Sequence, residues 1–200
     1  TTKEPYDLGE ENDGYKVAVL DLGIKKSILK NLVQRGCHCR VFPAKTTFAE
    51  MEKWNPDGYF ISNGPGDPAV MDYASNTVKE VLDANKPLFG ICMGSQILAL
   101  AVGVPTYKMH HGHRGLNHPV KNLNTGLSEV TSQNHGFAVN MKSLSGEWEE
   151  YFVNVNDGTK TSSPFFTSNA YRAACKAAVP ELTATANFDP TNDLDNFSNS

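Results

Sequence analysis

The sequence predicts an α/β protein with a parallel-rich central sheet and an antiparallel extension. Four apolar runs typical of buried strands alternate with helical patterns in the first half of the chain. Strands that are connected through helices form parallel sheets covered on both faces. Glycine-rich turns follow two of these strands, at the carboxyl ends where sites form in open α/β sheets. Later in the chain the apolar runs shorten and turn residues separate them, which indicates antiparallel pairing.

The predicted elements follow the hydrophobic pattern in chain order. Strands are expected at 16–21, 38–43 and 58–62, and in the apolar run that ends just before Cys92. Apolar residues at helical spacing predict helices at 24–35, 47–53, 78–82 and 97–102. The shorter β-like runs lie at 104–109, 119–123, 127–133 and 148–155.

The chain length and composition predict one domain with two loose ends. Two hundred residues are enough for one sizeable core. Residues 1–14 are polar and acidic, so we expect a linker or disordered segment, with order beginning at Tyr15. The predicted domain covers 15–159. Residues 160–200 are expected to form a loosely ordered tail, because they contain no glycine, show little β periodicity and end in a stretch rich in Asn, Asp and Ser.

Charge and cysteine content exclude several classes of partner. The formal net charge is −4 with both signs spread along the chain, so no basic stripe is available for nucleic acid. No run approaches the roughly 20 apolar residues that span a bilayer, so no membrane association is expected. The four cysteines include no C-x-x-C pair, which is typical of a reducing compartment and predicts a cytoplasmic protein.

A single cysteine stands between two glycines directly after a predicted strand. Gly90, Cys92 and Gly94 form a G-x-C-x-G pattern. In a nucleophile elbow the chain turns sharply from strand to helix, and backbone N–H groups at the helix start face a developing oxyanion. The glycines permit a close approach that a side chain would block. Taken alone, the pattern fits a small buried thiol at a tight turn equally well.

Four histidines lie close together in the sequence, at positions 110, 111, 113 and 118. Zinc is one interpretation of such a cluster. No cysteine lies nearby, no i, i+4 histidine pair is present, and glycine and proline interrupt the segment. We therefore expect a structural role, with no metal and no cofactor. Cys37 and Cys39 alternate onto one face of a strand and are expected to be buried reduced thiols.

Five segments together resemble one family. They occur in order between about residues 15 and 159, and they are 21–28, 62–68, 89–96, 112–119 and 132–138. The set is similar to the glutaminase domain of the carbamoyl-phosphate synthetase small subunit, which is a class I, triad-type glutamine amidotransferase. The resemblance implies a flavodoxin-like three-layer fold. It also implies hydrolysis of L-glutamine to glutamate and ammonia, a partner in the form of the large synthetase subunit, and a supply of carbamoyl phosphate for arginine and pyrimidine synthesis.

The resemblance implies a role for each matching position. Cys92 takes the place of the nucleophile that forms a γ-glutamyl thioester. The backbone N–H groups of Gly66 and Met93 take the place of the oxyanion donors, with Gly64 beside them. The positions assigned to substrate binding are Gly64, Gln96, Asn134, Gly136 and Phe137. Ser95 replaces a histidine that is common at its position but is not part of the triad.

The family pattern fails at its C-terminal end. There the family carries a His-x-Glu motif whose histidine accepts the thiol proton and whose glutamate orients that histidine. In this chain the last histidine is His135, and Glu181 is the one glutamate after residue 159. A degenerate homologue would explain this, as would a replaced C-terminus, which the abrupt change near residue 160 favours. We expect weak glutamine hydrolysis; the alternatives are a non-catalytic glutamine-binding or regulatory homologue, and a truncated or chimeric product.

Overall fold

A five-stranded sheet forms the centre of the fold. The computed structural model describes residues 1–10, 14–143, 148–150, 152–159 and 166–168. The strands are β1 (Tyr6–Leu8), β2 (Lys16–Asp21), β3 (His38–Pro43), β4 (Gly58–Ile61) and β5 (Leu88–Gly90), and they lie in the order β1-β3-β2-β4-β5. Strands β2 to β5 are parallel to one another, whereas β1 pairs with β3 in the antiparallel sense. The predicted parallel-rich sheet is confirmed.

Helices cover both faces of this sheet. They are α1 (Lys26–Gln34), α2 (Phe48–Glu52), α3 (Asp72–Asp83) and α4 (Met93–Ala101). Successive residues of β2 point to opposite faces. Ala18 and Leu20 belong to the core cluster that includes residues of α2, α3 and α4, whereas Val19 packs in the cluster that includes Leu29 of α1. The fold is therefore a three-layer α/β/α arrangement, as predicted.

The antiparallel extension contains longer strands than the sequence predicts. Strand β6 covers Thr106–Asn122 and β7 covers Ser128–Val139. The prediction of separate runs at 104–109 and 119–123 is wrong, because β6 continues through the intervening glycines. Its pairing with β7 shifts register between Lys108 and His113 and again between Gly115 and His118, and these irregularities accommodate the glycines. Strand β9 (Phe152–Asn154) pairs with β6, and β8 (Trp148–Glu150) pairs with β10 (Phe166–Ser168).

The N-terminal segment is more ordered than the sequence predicts. The expectation of a loose linker over 1–14 is wrong at β1, which pairs with β3 at the sheet edge. The Arg40 guanidinium donates two hydrogen bonds of 2.6 Å to the two carboxylate oxygens of Asp7 across this pair. Backbone pairing and an ion pair between distant residues leave no hydrophobic pattern in the sequence. Most of the predicted tail at 160–200 lies outside the described residues.

Two other expectations concern cysteines and membranes. Cys37 and Cys39 are buried free thiols, as predicted. Burial raises the pKa of Cys37, and it raises the pKa of Cys39 to about 12. Among the described residues, the helices are too short or too polar to cross a membrane.

Helix α4 packs directly on the backbone of β4. A Cβ atom at Gly94 would lie 2.1 Å from the Ile61 carbonyl oxygen, and one at Gly90 would lie 2.5 Å from the Gly94 carbonyl carbon. Real Cβ atoms do not approach other atoms this closely, so only glycine fits at either position. The close approach predicted from the two glycines is confirmed.

Replacement of Gly94 by alanine tests this packing. In an open helix the change would stabilise the protein by about 1 kcal/mol through helix propensity. Here the contact with the Ile61 carbonyl must move the helix, so we expect a net loss of at least about 2 kcal/mol in the free energy of unfolding. Denaturant unfolding measures the change. Gly58→Ala is the control, since its Cβ would lie an ordinary 3.5 Å from the Pro87 carbonyl oxygen; equal effects of both substitutions would show that the close contact at Gly94 does not matter.

Candidate active site

Cys92 occupies a strained turn between β5 and α4. Its φ is +52° and its ψ is −106°, and the next residue, Met93, begins the helix. A residue other than glycine in this region has an energetic cost that the surrounding structure must offset, and such residues concentrate at functional sites. A strained strand-to-helix turn is the geometry of a nucleophile elbow.

The thiol of Cys92 is partly buried and lies among polar groups. Its sulfur is 3.8 Å from the Asn134 carbonyl oxygen, to which it donates. Burial raises the pKa of Cys92, although the Met93 N–H and the positive charge of Lys25 act in the opposite direction. The thiol is therefore the main form at neutral pH, and nucleophilic attack requires a group that removes its proton.

Lys25 is a site residue that sequence reasoning did not identify. It follows the turn after β2, and its backbone N–H donates to Asn63 Oδ1 at 3.2 Å. The residue lies in a segment used for the family resemblance, but no pattern of spacing connects it with Cys92. One feature of the sequence could have pointed to Lys25. It follows the carboxyl end of the parallel strand β2, and Cys92 follows the carboxyl end of the parallel strand β5.

Hydrogen bonds connect the turn after β4 to the turn after β2. Ser62 Oγ accepts from the Leu22 N–H at 2.8 Å, and the Asn63 side-chain amide donates to the Gly23 carbonyl at 3.0 Å. A Cβ at Gly64 would lie 2.3 Å from the Leu22 carbonyl oxygen, and Gly66 has a φ of +102°. Because β4 and β5 are neighbouring parallel strands, this turn and the cysteine elbow lie side by side at the carboxyl ends of the strands. The oxyanion roles of Gly66 and Met93 and the binding role of Gly64 stay predictions.

The end of β7 forms the opposite side of the site. Gln96, buried in α4, donates from Nε2 to the Phe137 carbonyl oxygen at 2.8 Å. Asn134, three residues earlier in β7, presents its carbonyl oxygen to the Cys92 sulfur. The structure thus brings together four residues singled out in the sequence: Cys92, Gln96, Asn134 and Phe137. Their contact with glutamine, and that of Gly136 between them, stays a prediction.

An irregularity in β6 packs against residues 134–137 of β7, the segment that we call the wall. Gly112 has a φ of +68°, and a Cβ there would lie 2.7 Å from the His135 carbonyl oxygen and 3.2 Å from the Gly136 Cα. This glycine lies within the first register shift between β6 and β7. It therefore permits β6 to approach the wall segment 134–137 closely.

The histidines of β6 and β7 are engaged with one another rather than with Cys92. His135 Nδ1 lies 2.8 Å from the Phe137 carbonyl oxygen, and its Nε2 lies 3.1 Å from both His113 Nδ1 and Gln133 Oε1. The exposed side chains of His110 and His111 contact each other at 2.9 Å. Within the described parts of the chain, no three His, Cys, Asp or Glu side chains form a group suited to a metal ion.

Comparison with known proteins identifies the family. The family model described as "Glutamine amidotransferase class-I" matches residues 18–164. The chain belongs to this family. The crystal structure of a candidate GMP synthase component from Thermoplasma acidophilum has the same fold, with a TM-score of 0.66 and 18% identity over 87% of this chain and 100% of that chain.

Among the amidotransferase's relatives are carbamoyl phosphate synthase small chains. That of Pseudomonas syringae pv. tomato is 51% identical over 145 residues, which are 72% of this chain and 38% of the relative. That of Photorhabdus laumondii is 46% identical over 175 residues, covering 85% of this chain and 45% of the relative. The chain thus spans less than half the length of either small chain.

The pH dependence of alkylation tests the state of the Cys92 thiol in this amidotransferase. Burial raises its pKa above the ordinary value of 9.0, so the reactive thiolate forms only in alkaline solution. We expect labelling of Cys92 by iodoacetamide to be slow at neutral pH and to accelerate as the pH rises through and beyond about 9. Peptide mass spectrometry quantifies the labelled site, with Cys92→Ser as control. A fast, pH-independent rate between pH 6 and 8 would indicate a preformed thiolate and contradict this description.

Gly112→Ala tests the close approach of β6 to the wall. The control is Gly126→Ala, because Gly126 has a similar φ of +74° but open space around its Cβ. Left-handed backbone strain costs both variants about 1–2 kcal/mol. Only Gly112→Ala also displaces the His135 carbonyl, so we expect it to lose at least about 1 kcal/mol more stability. We also expect faster amide exchange at 134–137 in this variant alone. Equal stability and exchange in the two variants would refute the contact.

Proposed function

We propose that this chain binds L-glutamine beside Cys92 and corresponds to the glutaminase region of a carbamoyl phosphate synthase small chain. The observation that carries the proposal is the contact set at the elbow. The Cys92 sulfur faces the Asn134 carbonyl, and Gln96 is bonded to the Phe137 carbonyl. Membership of the amidotransferase family and about 50% identity to small chains support glutamine as the substrate.

The proposed chemistry is acyl transfer through a thioester. The Cys92 sulfur attacks the carbonyl carbon of the glutamine side-chain amide, and the oxygen becomes an oxyanion that the N–H groups of Gly66 and Met93 stabilise. The C–N bond then breaks, and the amide nitrogen leaves as ammonia after taking up a proton. Water hydrolyses the γ-glutamyl thioester to glutamate and frees the thiol. Oxyanion stabilisation of this kind contributes roughly 3–4 kcal/mol per donor in other enzymes.

The proton transfers are expected to limit the rate of glutamine hydrolysis by this chain. The pKa of Cys92 is raised by burial, so the thiol must give up a proton before or during attack. His135 Nδ1 is bonded to the Phe137 carbonyl and its Nε2 to His113 Nδ1, and the Cys92 sulfur contacts the Asn134 carbonyl. In hydrolases, removal of the catalytic base lowers the rate by roughly 10⁴- to 10⁶-fold. We therefore propose slow turnover by this chain alone.

A second candidate function is glutamine binding without catalysis. The observation that favours it is the same sulfur environment, a protonated thiol beside a carbonyl with no imidazole contact among the described residues. Such a module would bind glutamine and transmit its occupancy to a partner without releasing ammonia.

The partner and compartment follow from the proposed reaction. Ammonia released at Cys92 would be used by a carbamoyl phosphate synthase large subunit, which supplies carbamoyl phosphate for arginine and pyrimidine synthesis. A nucleophilic cysteine must stay reduced, and the three described cysteines are free thiols. A reducing cytoplasm suits these requirements.

Glutamate release from L-glutamine tests the proposed reaction. The chain is assayed alone and with a carbamoyl phosphate synthase large subunit, beside Cys92→Ser. We expect the chain alone to release glutamate at a rate just above the variant, because no base contacts the thiol within the part of the chain that the structure describes. Binding of glutamine with no release above the variant, in either assay, would favour the non-catalytic module.

Two results would contradict the proposal. Rapid turnover by the chain alone that Cys92→Ser abolishes would mean that another group accepts the thiol proton. Neither glutamine binding nor turnover in a chain that melts cooperatively would remove glutamine as the substrate.

A further inference from the structure

A chain of hydrogen bonds through two buried histidines connects the carboxylate of Asp157 to the wall of the candidate site. Asp157 Oδ2 lies 2.8 Å from His113 Nε2, His113 Nδ1 lies 3.1 Å from His135 Nε2, and His135 Nδ1 lies 2.8 Å from the Phe137 carbonyl oxygen. The two histidines are 7% and 9% exposed. The same Phe137 carbonyl accepts from Gln96 Nε2. The chain of bonds therefore ends on the group that orients Gln96.

The protonation pattern of His135 follows from its partners. The Phe137 carbonyl can only accept a hydrogen bond, so His135 Nδ1 must carry a proton. Burial lowers the pKa of His135, which favours the neutral ring. In the neutral ring Nε2 then has a free lone pair, and His113 Nδ1 donates to it.

The contacts of Gln133 show which of its side-chain atoms faces His113. The Thr131 hydroxyl donates to the His118 carbonyl, and the Gln133 amide nitrogen donates to Thr131 Oγ1, so Gln133 Oε1 is the acceptor that lies 2.8 Å from His113 Nδ1. Burial tends to raise the pKa of Asp157, but hydrogen bonds from the Thr159 N–H and His113 outweigh this and the pKa is lowered.

His113 therefore meets acceptors at both ring nitrogens. Nδ1 faces Gln133 Oε1 and the His135 lone pair, whereas Nε2 faces the ionised Asp157. The Asp157 carboxylate accepts from Nε2, and its loss would leave this buried ring nitrogen without its partner.

We propose that His113 and Asp157 are positioning residues of the glutamine site. Asp157 orients His113, His113 orients His135, and His135 together with Gln96 fixes the Phe137 carbonyl at the wall. The inference rests on the proposed function, because it names the residues that give the wall its geometry for glutamine. The proposal assigns to His113, one of the four clustered histidines at 110–118, a role other than metal binding.

Asp157→Ala tests the proposal on the full chain with L-glutamine as the probe. The Asp157 side chain is 43% exposed, so its removal leaves no core cavity but deprives His113 Nε2 of its acceptor. We expect glutamine affinity, measured by titration calorimetry, to fall about tenfold. The matched control is Asp7→Ala, which removes a 40% exposed carboxylate paired with Arg40 at the far edge of the sheet. Its affinity for glutamine should equal that of the unmodified chain.

Histidine ¹⁵N NMR supplies a readout that a general loss of stability would not move. In the unmodified chain without glutamine we expect His135 to be the neutral Nδ1–H tautomer. In Asp157→Ala the ¹⁵N signals of His113 should shift because Nε2 loses its hydrogen-bond partner, whereas Asp7→Ala should leave both rings unchanged.

The possible outcomes distinguish failure of the proposed glutamine-binding function from failure of the positioning role. Absence of glutamine binding by the unmodified chain would overturn the proposed function and the positioning role with it. Binding that Asp157→Ala does not weaken, or that Asp7→Ala weakens equally, would overturn the positioning role alone. A His135 ring protonated at Nε2 in the unmodified chain would also overturn it.

Discussion

The candidate site depends on the direct packing of Gly94 against the carbonyl of Ile61. This contact places the first turn of α4 on the backbone of β4, and Gly90 permits β5 to turn sharply into the helix. Cys92, between the two glycines, has a φ of +52°, and its sulfur lies 3.8 Å from the Asn134 carbonyl oxygen. One turn further along α4, Gln96 reaches the Phe137 carbonyl. The geometry of the cysteine elbow and the wall thus follows from backbone contacts that a single methyl group would prevent.

Under the proposed function, the electrostatics of the site suit glutamine binding better than catalysis. Burial keeps the proton on Cys92, and the opposing effects of Lys25 and the Met93 N–H do not reverse the shift in its pKa. The buried imidazoles behind the wall are hydrogen-bonded to Phe137, Gln133 and Asp157. A site with an oriented wall and a protonated nucleophile can recognise an amide and still cleave it slowly, because recognition requires hydrogen bonds and cleavage requires proton transfer.

Local patterns predicted the elements that carry continuous hydrophobic periodicity. Strands β2 and β3 have the predicted bounds, since both are apolar runs bounded by turn residues. The pairing of β1, the continuity of β6 and the contact between His113 and Asp157 could not be predicted, because each depends on residues distant in sequence. Cys92 was identified from its flanking glycines, whereas the wall residues were identified by resemblance alone.

Covalent labelling by a glutamine-like electrophile, such as a diazoketone analogue of glutamine, tests the central claim most directly. The claim is that Cys92 and the wall at 134–137 form one glutamine site. Intact-protein and peptide mass spectrometry would report the site and extent of modification with and without excess L-glutamine. We predict one adduct per chain, at Cys92, that L-glutamine prevents. Labelling at other cysteines, or labelling of Cys92 that L-glutamine does not slow, would contradict the claim.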